Sequence, residues 1–274
     1  MINRSMIQSA VTMGQLQTKL DLIGNNLANS QTTGYKSRSA DFSSLLYQQI
    51  DNQSDNLADT GRLTPDGIRI GSGARIGHTN IDLSLGSLQE TGRTLDAAFL
   101  QEGHMFEVLV PTEAGIETQY TRAGDFYLSP LNDGEVMLTD TNGNPVAGED
   151  GERIVLEDGF QSITLNADGS VVVRRNGAEE TAGRLAVVDA VRPRMLEAVG
   201  GNRFRIPDGI AADGLVTAVQ PGETVLKSGT LETSNVDVSK QMTDMLMAQR
   251  AYQFNAKSIS TGDQMMGLVN QLRS

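Results

Sequence analysis

Apolar side chains recur at alternating spacings of four and three residues along the N-terminal segment. The positions are Ile2, Met6, Met13, Leu16, Leu20, Ile23 and Leu27, with the polar Ser9 completing the repeat. This spacing gives an α-helix one apolar stripe and is typical of the a and d positions of a coiled coil. A helix of this length would span ~40 Å. Gly14 and Gly24 lie inside it, and each weakens an isolated helix by ~1 kcal/mol relative to alanine.

A second heptad pattern lies near the C-terminus. Val238, Met245, Tyr252, Ile259 and Met266 follow one another every seven residues, and Met242, Ala248, Ala256 and Val269 occupy the intermediate turns. The pattern predicts a long helix that Asn235 or Asp237 caps at its start. The methionines in this segment fit either an ordinary core stripe or an adaptable interface for several neighbours.

The chain between these helices has strand and turn patterns and little helical periodicity. Alternation around the Asp168-Gly169 dipeptide predicts a hairpin, and a second hairpin is predicted to turn at Asn142-Gly143. The range 183–191 has the composition of a buried strand. The glycine-rich range 51–80 is predicted to be extended.

These patterns predict an α+β fold, in which the N- and C-terminal helices pack on each other as a coiled-coil-like pair and the chain between them forms an extended linker and a β-rich central domain. The predicted parts are residues 1–34 (N-terminal helix), 35–80 (linker), 81–225 (β-rich domain) and 226–274 (C-terminal helix). Two helices cover only one face of each other, and an uncovered apolar stripe favours further partners. The layout therefore indicates assembly.

Composition and charge exclude several classes of function. The chain has no cysteine, which excludes disulfides, thiolate metal sites and a cysteine nucleophile. The net charge is −12 and the excess acid lies in the middle of the chain, so nucleic-acid binding is not expected. Neither a secretory signal nor a membrane span is visible, which leaves a cytosolic protein or one exported by a dedicated machine.

Catalytic, cofactor and metal sites are not predicted. The two histidines, His78 and His104, lack the spaced partners that a metal site or a catalytic triad needs. Asp140, Asn142 and Asn144 alternate as in a calcium loop, but Pro145 stands where that loop has glycine, so a hairpin turn fits better. The glycines at 67–77 lack the lysine of a phosphate loop.

Five stretches resemble one known family. They are "NNLAN" with "TGYK" (residues 25–36), "GIRIGSGARI" (67–76), "GSLQETGRTLD" (86–96), "YTRAGDF" (120–126) and "SGTLETSNVDVSKQMTDMLMAQRAYQFNAKSISTGDQM" (228–265). In this order, at both ends of the chain, they resemble the flagellar rod and hook family of axial proteins. The match departs after Asp96, where "QEGHMFEV" replaces the family's Gly-x-Gly-Phe-Phe run.

The resemblance implies a structural subunit of the flagellar basal-body rod, either distal-rod-like or a Gram-positive rod homologue, with a short hook protein as the alternative. Such subunits cross the cytoplasmic membrane through the flagellar type III export apparatus without a cleaved signal peptide. They assemble helically, with other rod and hook proteins, into a hollow tube whose channel the terminal helices line. A cell-wall hydrolase and an adhesin remain rival hypotheses. The expected self-assembly residues are Leu16, Leu20, Ile23, Asn26, Leu27, Asn29, Gly34, Tyr35, Met245, Tyr252 and Ile259.

Overall fold

The computed structural model describes residues 2–44, 47–50, 68–71, 74–113, 115–131, 134–212, 214–220, 222 and 225–273. Two helices, α1 (Ile2–Ala28) and α2 (Val238–Arg273), stand at the two ends of the chain. All described strands lie between them, so the α+β prediction is confirmed. The chain divides into two compact units, one of Met1–Asn25, Ser39–Thr79 and Ser239–Ser274, the other of Asn26–Arg38 and Asn80–Val238.

The strands are short and follow one another through the middle of the chain. The first ten are β1 (Arg38–Ser44), β2 (Tyr47–Ile50), β3 (Ile68–Gly71), β4 (Ala74–Ile81), β5 (Leu88–Glu90), β6 (Ala97–Phe99), β7 (His104–Thr112), β8 (Gly115–Thr121), β9 (Tyr127–Pro130) and β10 (Glu135–Thr139). The others are β11 (Val155–Glu157), β12 (Ser162–Leu165), β13 (Ser170–Arg175), β14 (Ala178–Arg184), β15 (Val187–Ala190), β16 (Glu197–Gly200), β17 (Arg203–Arg205), β18 (Val216–Ala218), β19 (Leu226–Ser228) and β20 (Thr230–Glu232).

The first unit contains most of both helices. Along α1 the less exposed positions follow the predicted repeat: Leu16 and Ile23 are buried, and Ser9 is buried among them. Along α2 the least exposed positions again repeat at three and four residues, with Ala248 buried and Met245 half-buried. The unit also contains the two-stranded pairings β1–β4 and β2–β3.

The second unit is built on a six-stranded antiparallel sheet in the order β16-β17-β8-β7-β15-β18. Three-stranded sheets β11-β10-β9 and β12-β13-β14 and the pairs β19-β6 and β20-β5 accompany it. A large apolar core includes Phe99, Phe106, Phe126, Leu138 and Val146. A smaller core contains Met105, Tyr120, Val188 and Phe204. The alternation of core residues along β7 explains both, because successive side chains of a strand point to opposite faces.

The local strand predictions have mixed outcomes. The hairpin at Asp168-Gly169 is confirmed, with β12 paired to β13 and Gly169 at φ +82°. The turn at Asn142-Gly143 is also confirmed. The buried strand predicted over 183–191 is confirmed at β15 (Val187–Ala190), which is mostly buried and pairs with β7. Its predicted start is wrong, because Gly183 and Arg184 belong to β14 and pair with β13. The range 51–80 is extended at β3 and β4, and 51–67 and 72–73 lie outside the described residues.

Candidate functional site

The stretch that follows α1 is held by one buried asparagine. Asn26 is 1% exposed. Its Oδ1 accepts hydrogen bonds from the Tyr35 hydroxyl at 3.1 Å and from the Arg38 backbone N–H at 3.0 Å, and its Nδ2 donates to the Arg38 carbonyl at 2.8 Å. The amide thus closes the loop from 26 to 38 much as a backbone pairing would. Burial raises the pKa of the Tyr35 phenol, so this hydroxyl stays a donor at neutral pH.

Gly34 lies where the loop turns, and only glycine fits there. Its φ is +65°, a left-handed conformation that costs other residues free energy. A Cβ at this position would also lie 2.5 Å from the Ala123 nitrogen. The Gly34 N–H donates to the Glu232 carbonyl at 2.8 Å. Gly34 therefore lets the loop lie directly against two distant segments of the chain.

Lys36, Arg122 and Glu232 form a buried cluster that we call the ion triad. The Lys36 Nζ lies 2.6 Å from Glu232 Oε1, and the Arg122 Nε lies 2.6 Å from Glu232 Oε2. All three side chains are at most 1% exposed. The Gly86 N–H donates to Glu232 Oε1 at 2.8 Å. One carboxylate therefore bonds to three segments that are remote in sequence.

The remaining donors of the ion triad also have partners. The Arg122 guanidinium donates to the carbonyls of His104 and Gln101 and lies 4.9 Å from the Phe99 ring centroid. The Lys36 ammonium donates to the Ser84 carbonyl at 2.6 Å. Buried charges are tolerated when they are paired and hydrogen-bonded in this way.

The electrostatics of the ion triad keep Glu232 ionised. Burial by itself raises the pKa of the Glu232 carboxyl, but Arg122, Lys36 and the Gly86 N–H outweigh burial and hold that pKa below its usual value. Burial lowers the pKa of the Lys36 ammonium, an effect that its hydrogen bond to Glu232 opposes. The ionised Glu232 carboxylate therefore lies between two basic side chains, and both donate hydrogen bonds to it.

Asn235, just before α2, is a second bridging amide. Its Oδ1 accepts from the Ser37 backbone N–H at 2.8 Å, and its Nδ2 donates to the carbonyls of Asp82 and Ser84. Close packing accompanies these bonds, because a Cβ at Gly86 would lie 1.9 Å from the Thr233 carbonyl oxygen. The segments that leave α1 and enter α2 are thus fastened to each other and to the stretch at 82–86.

The predicted assembly residues fall into two groups. Asn26, Gly34 and Tyr35 are buried in the second unit, and Asn29 accepts a hydrogen bond from Thr32 in the turn after α1. The others lie along the helices: Leu16 and Ile23 are buried, and Leu20, Leu27, Met245, Tyr252 and Ile259 are half-buried. The structure brings the first group together around one loop.

The predicted assembly residues did not include Lys36, Arg122 or Glu232, and Asn235 was predicted only as a possible cap of α2. A signal was available, because the stretches "TGYK", "YTRAGDF" and "TLETSN" carry these charges and this amide within otherwise mostly uncharged sequence. Each of these stretches also carried the family resemblance. Their common neighbour could not be identified from spacing, since the three charges are 86 and 110 residues apart in the sequence.

The stretch at Asp140, Asn142 and Asn144, which alternates as in a calcium loop, is a hydrogen-bonded turn in the structure. Asp140 accepts hydrogen bonds from the backbone N–H groups of Asn142 and Asn144 at 2.8 Å each, so its carboxylate caps a turn. No group of three or more metal-ligating side chains occurs among the residues described. His104 is buried, and the side chain of His78 lies outside the described part. Neither described helix has the length and apolarity needed to cross a membrane.

Three family models match successive parts of the chain. "Flagella basal body rod protein" matches residues 9–36, "Flagellar hook protein FlgE/F/G D1 domain" matches 101–173, and "Flagellar basal body rod FlgEFG protein C-terminal" matches 227–272. These ranges contain Lys36, Arg122 and Glu232, so each member of the ion triad lies in a different matched region.

Full-length relatives decide the family. The chain is 37% identical over 275 residues to the flagellar hook-basal body complex protein FlhP of Bacillus subtilis, covering 98% of this chain and 99% of that protein. It is 35% identical to the flagellar basal-body rod protein FlgG of Bacillus subtilis over 98% of this chain and 99% of that one. The chain belongs to the flagellar basal-body rod protein family. The FlgG of Caulobacter vibrioides is 34% identical to this rod-family chain, over 97% of it and 98% of the relative.

The family assignment confirms the main functional predictions. The resemblance to flagellar axial proteins, the role as a structural subunit of the rod, and the place in the basal body are all confirmed for this rod-family chain. The proteins of this family are structural components of the flagellum and form part of the rod and hook assembly.

Proposed function

We propose that the chain self-assembles helically into a hollow rod, which transmits torque to the hook and lets exported subunits pass. It would reach the rod through the flagellar type III export apparatus and contact other rod and hook proteins there. In this proposal residues 1–34 and 226–274 form the inner part of the tube, 35–80 the linker and 81–225 the outer domain. The role is mechanical, with no catalysis.

We further propose that α1 and α2 pair in a coiled-coil-like manner through their heptad stripes. Support comes from the low exposure of matching positions on both helices. Leu16 and Ile23 on α1 are 9% and 4% exposed, and Ala248 on α2 is 4% exposed. Burying a large side chain such as Leu16 or Ile23 contributes up to ~1.5–3 kcal/mol to stability.

A separate apolar surface of α2 is the observation that carries the self-assembly proposal. We call it the exposed stripe. It consists of Met247, Phe254, Met265, Leu268 and Leu272, at spacings of seven, eleven, three and four residues that keep them on one side of the helix. Phe254 is 75% exposed and Leu272 is 89% exposed.

A second copy of the chain is the occupant that fits the exposed stripe best. Exposed apolar side chains that gather on one side of a helix mark an interaction site. The chain matches relatives named as rod proteins over nearly their full length. In this proposal the rod is built from repeated copies of the chain. A contact between this stripe and a different surface of the next copy does not close on itself, so it extends into a helical array.

We expect Phe254→Asp to weaken self-association by at least about tenfold, because a charge replaces an aromatic anchor and an anchor of this kind contributes about 2 kcal/mol or more. Gln253→Asp is the matched control, since it adds the same charge at the neighbouring exposed position of α2. Sedimentation velocity over a concentration series measures the association of both variants. Equal association of Phe254→Asp and Gln253→Asp would rule out the exposed stripe as the assembly surface.

A further inference from the structure

The methionines of α2 differ sharply in how much of each side chain meets solvent. Met242, Met247 and Met265 are 52%, 62% and 51% exposed, whereas Met245 and Met266 are half-buried on the heptad stripe. Two of the exposed three, Met247 and Met265, belong to the exposed stripe. Thioethers in this position are accessible to small oxidants in the free subunit.

We infer that Met247 and Met265 form a peroxide-responsive modification site that controls whether the subunit can assemble. This inference rests on the proposed self-assembly through the exposed stripe. In the reaction a lone pair of the methionine Sδ attacks one peroxide oxygen, the S–O bond forms and the O–O bond breaks. The departing oxygen keeps its own hydrogen, takes up the proton of the transferred oxygen and leaves as water. The sulfur is oxidised by two electrons and hydrogen peroxide is reduced by two.

The product changes the interface without changing the fold of the subunit. A sulfoxide is polar, and an apolar contact offers its oxygen no hydrogen-bond donor. Met247 and Met265 flank Phe254 along the exposed stripe, so sulfoxides there oppose burial of the whole stripe against a neighbour. In the free subunit the same oxygens remain hydrated, because both side chains are more than half exposed.

Assembly and oxidation therefore exclude each other. An assembled subunit has the two sulfurs buried in the contact and out of reach of peroxide, whereas a free subunit has them open. Subunits that are oxidised at the two sulfurs do not assemble into the rod, whereas intact subunits do. Because methionine sulfoxide is reducible by sulfoxide reductases, the block is reversible.

Other methionines provide internal comparisons within the same chain. Met105 is fully buried in the smaller core and should react last. Met195 is 41% exposed but lies among the strands of the second unit, away from either helix in sequence. Oxidation of Met195 is therefore expected to leave assembly unchanged.

The test exposes the full-length chain to dilute hydrogen peroxide, maps the oxidised residues by peptide mass spectrometry and follows assembly by sedimentation velocity. We expect Met247 and Met265 to oxidise before Met245, self-association to weaken by about tenfold, and a methionine sulfoxide reductase to restore it. Unchanged association after both residues are oxidised would overturn this inference but leave the proposed function in place. Absence of association in the untreated chain would overturn the proposed function, and this inference with it.

Two variants locate the effect. For the double variant Met247→Leu/Met265→Leu we expect the association constant after peroxide treatment to be close to that before treatment. Each variant is compared with its own untreated sample, so a change in its basal association does not affect the result. For Met195→Leu we expect the full wild-type sensitivity. The opposite pattern, a sensitive double variant and an insensitive Met195→Leu, would place the responsive sulfur elsewhere and overturn the assignment.

Discussion

Glu232→Gln is expected to destabilise the second unit by about 3–5 kcal/mol, enough to unfold much of it. The amide keeps the shape of the side chain but removes the only negative charge of the ion triad. The Lys36 ammonium and the Arg122 guanidinium, both fully buried, would then face an uncharged side chain whose NH₂ group cannot accept a hydrogen bond from either of them. Urea unfolding followed by circular dichroism measures the loss.

An exposed pair with the same chemistry serves as the control. Arg174 and Glu179 lie 2.7 Å apart with side chains 53% and 63% exposed, so Glu179→Gln should change the free energy of unfolding by less than about 1 kcal/mol. Equal losses of unfolding free energy in the two glutamine variants would show that burial does not increase the contribution of the ion triad to stability.

Acidification adds an independent check on Glu232. The pKa of the Glu232 carboxyl in the folded chain lies below its usual value. Its contribution to the free energy of unfolding is therefore complete above about pH 4.3, the pKa of an unfolded glutamate, and is lost as the pH falls toward the folded pKa. The stability gap between the wild type and Glu232→Gln should therefore narrow below that pH.

Gly34→Ala is expected to cost about 2–5 kcal/mol and to loosen the loop that follows α1. The left-handed backbone contributes about 1–2 kcal/mol of strain for any residue with a Cβ. The rest comes from overlap with the backbone of Ala123, which a side-chain rotation cannot relieve. The measurement is again urea unfolding, together with the rate at which a protease cleaves the range 26–38.

Gly92→Ala separates the two causes. Gly92 has a similar φ of +72°, but a Cβ there meets no atom within 4 Å. It should show the backbone cost of about 1–2 kcal/mol and no more. Equal losses at both glycines would mean that the close approach to Ala123 does not matter for stability.

The terminal helices were predictable because their signal is local. A repeat of three and four residues specifies a helix and its apolar face without reference to the rest of the chain. The burial of Leu16 and Ile23, and the half-buried positions of Met245 and Ile259, follow that repeat. The exposed stripe was harder to see, because Ser258 and Thr261 interrupt it and the apolar residues on each side then appear isolated.

The strands and the ion triad depended on partners that the sequence does not name. The range 183–191 is apolar enough for one strand, yet its first two residues end β14, which pairs with β13, and Val187–Ala190 forms β15, which pairs with β7. Likewise Lys36, Arg122 and Glu232 are each unremarkable in their local sequence, and only the tertiary fold makes them neighbours. The resemblance identified the three stretches that contain them but gave no reason for their common occurrence.

Electron cryo-microscopy of basal bodies from cells that make this chain tests the central claim most directly, at a resolution that separates side chains. The account predicts helically repeated copies of the chain in the rod, with α1 and α2 around the channel and the exposed stripe of each α2 buried against a neighbouring copy. Density for this chain in the hook and not in the rod, or copies whose exposed stripe faces solvent, would contradict it.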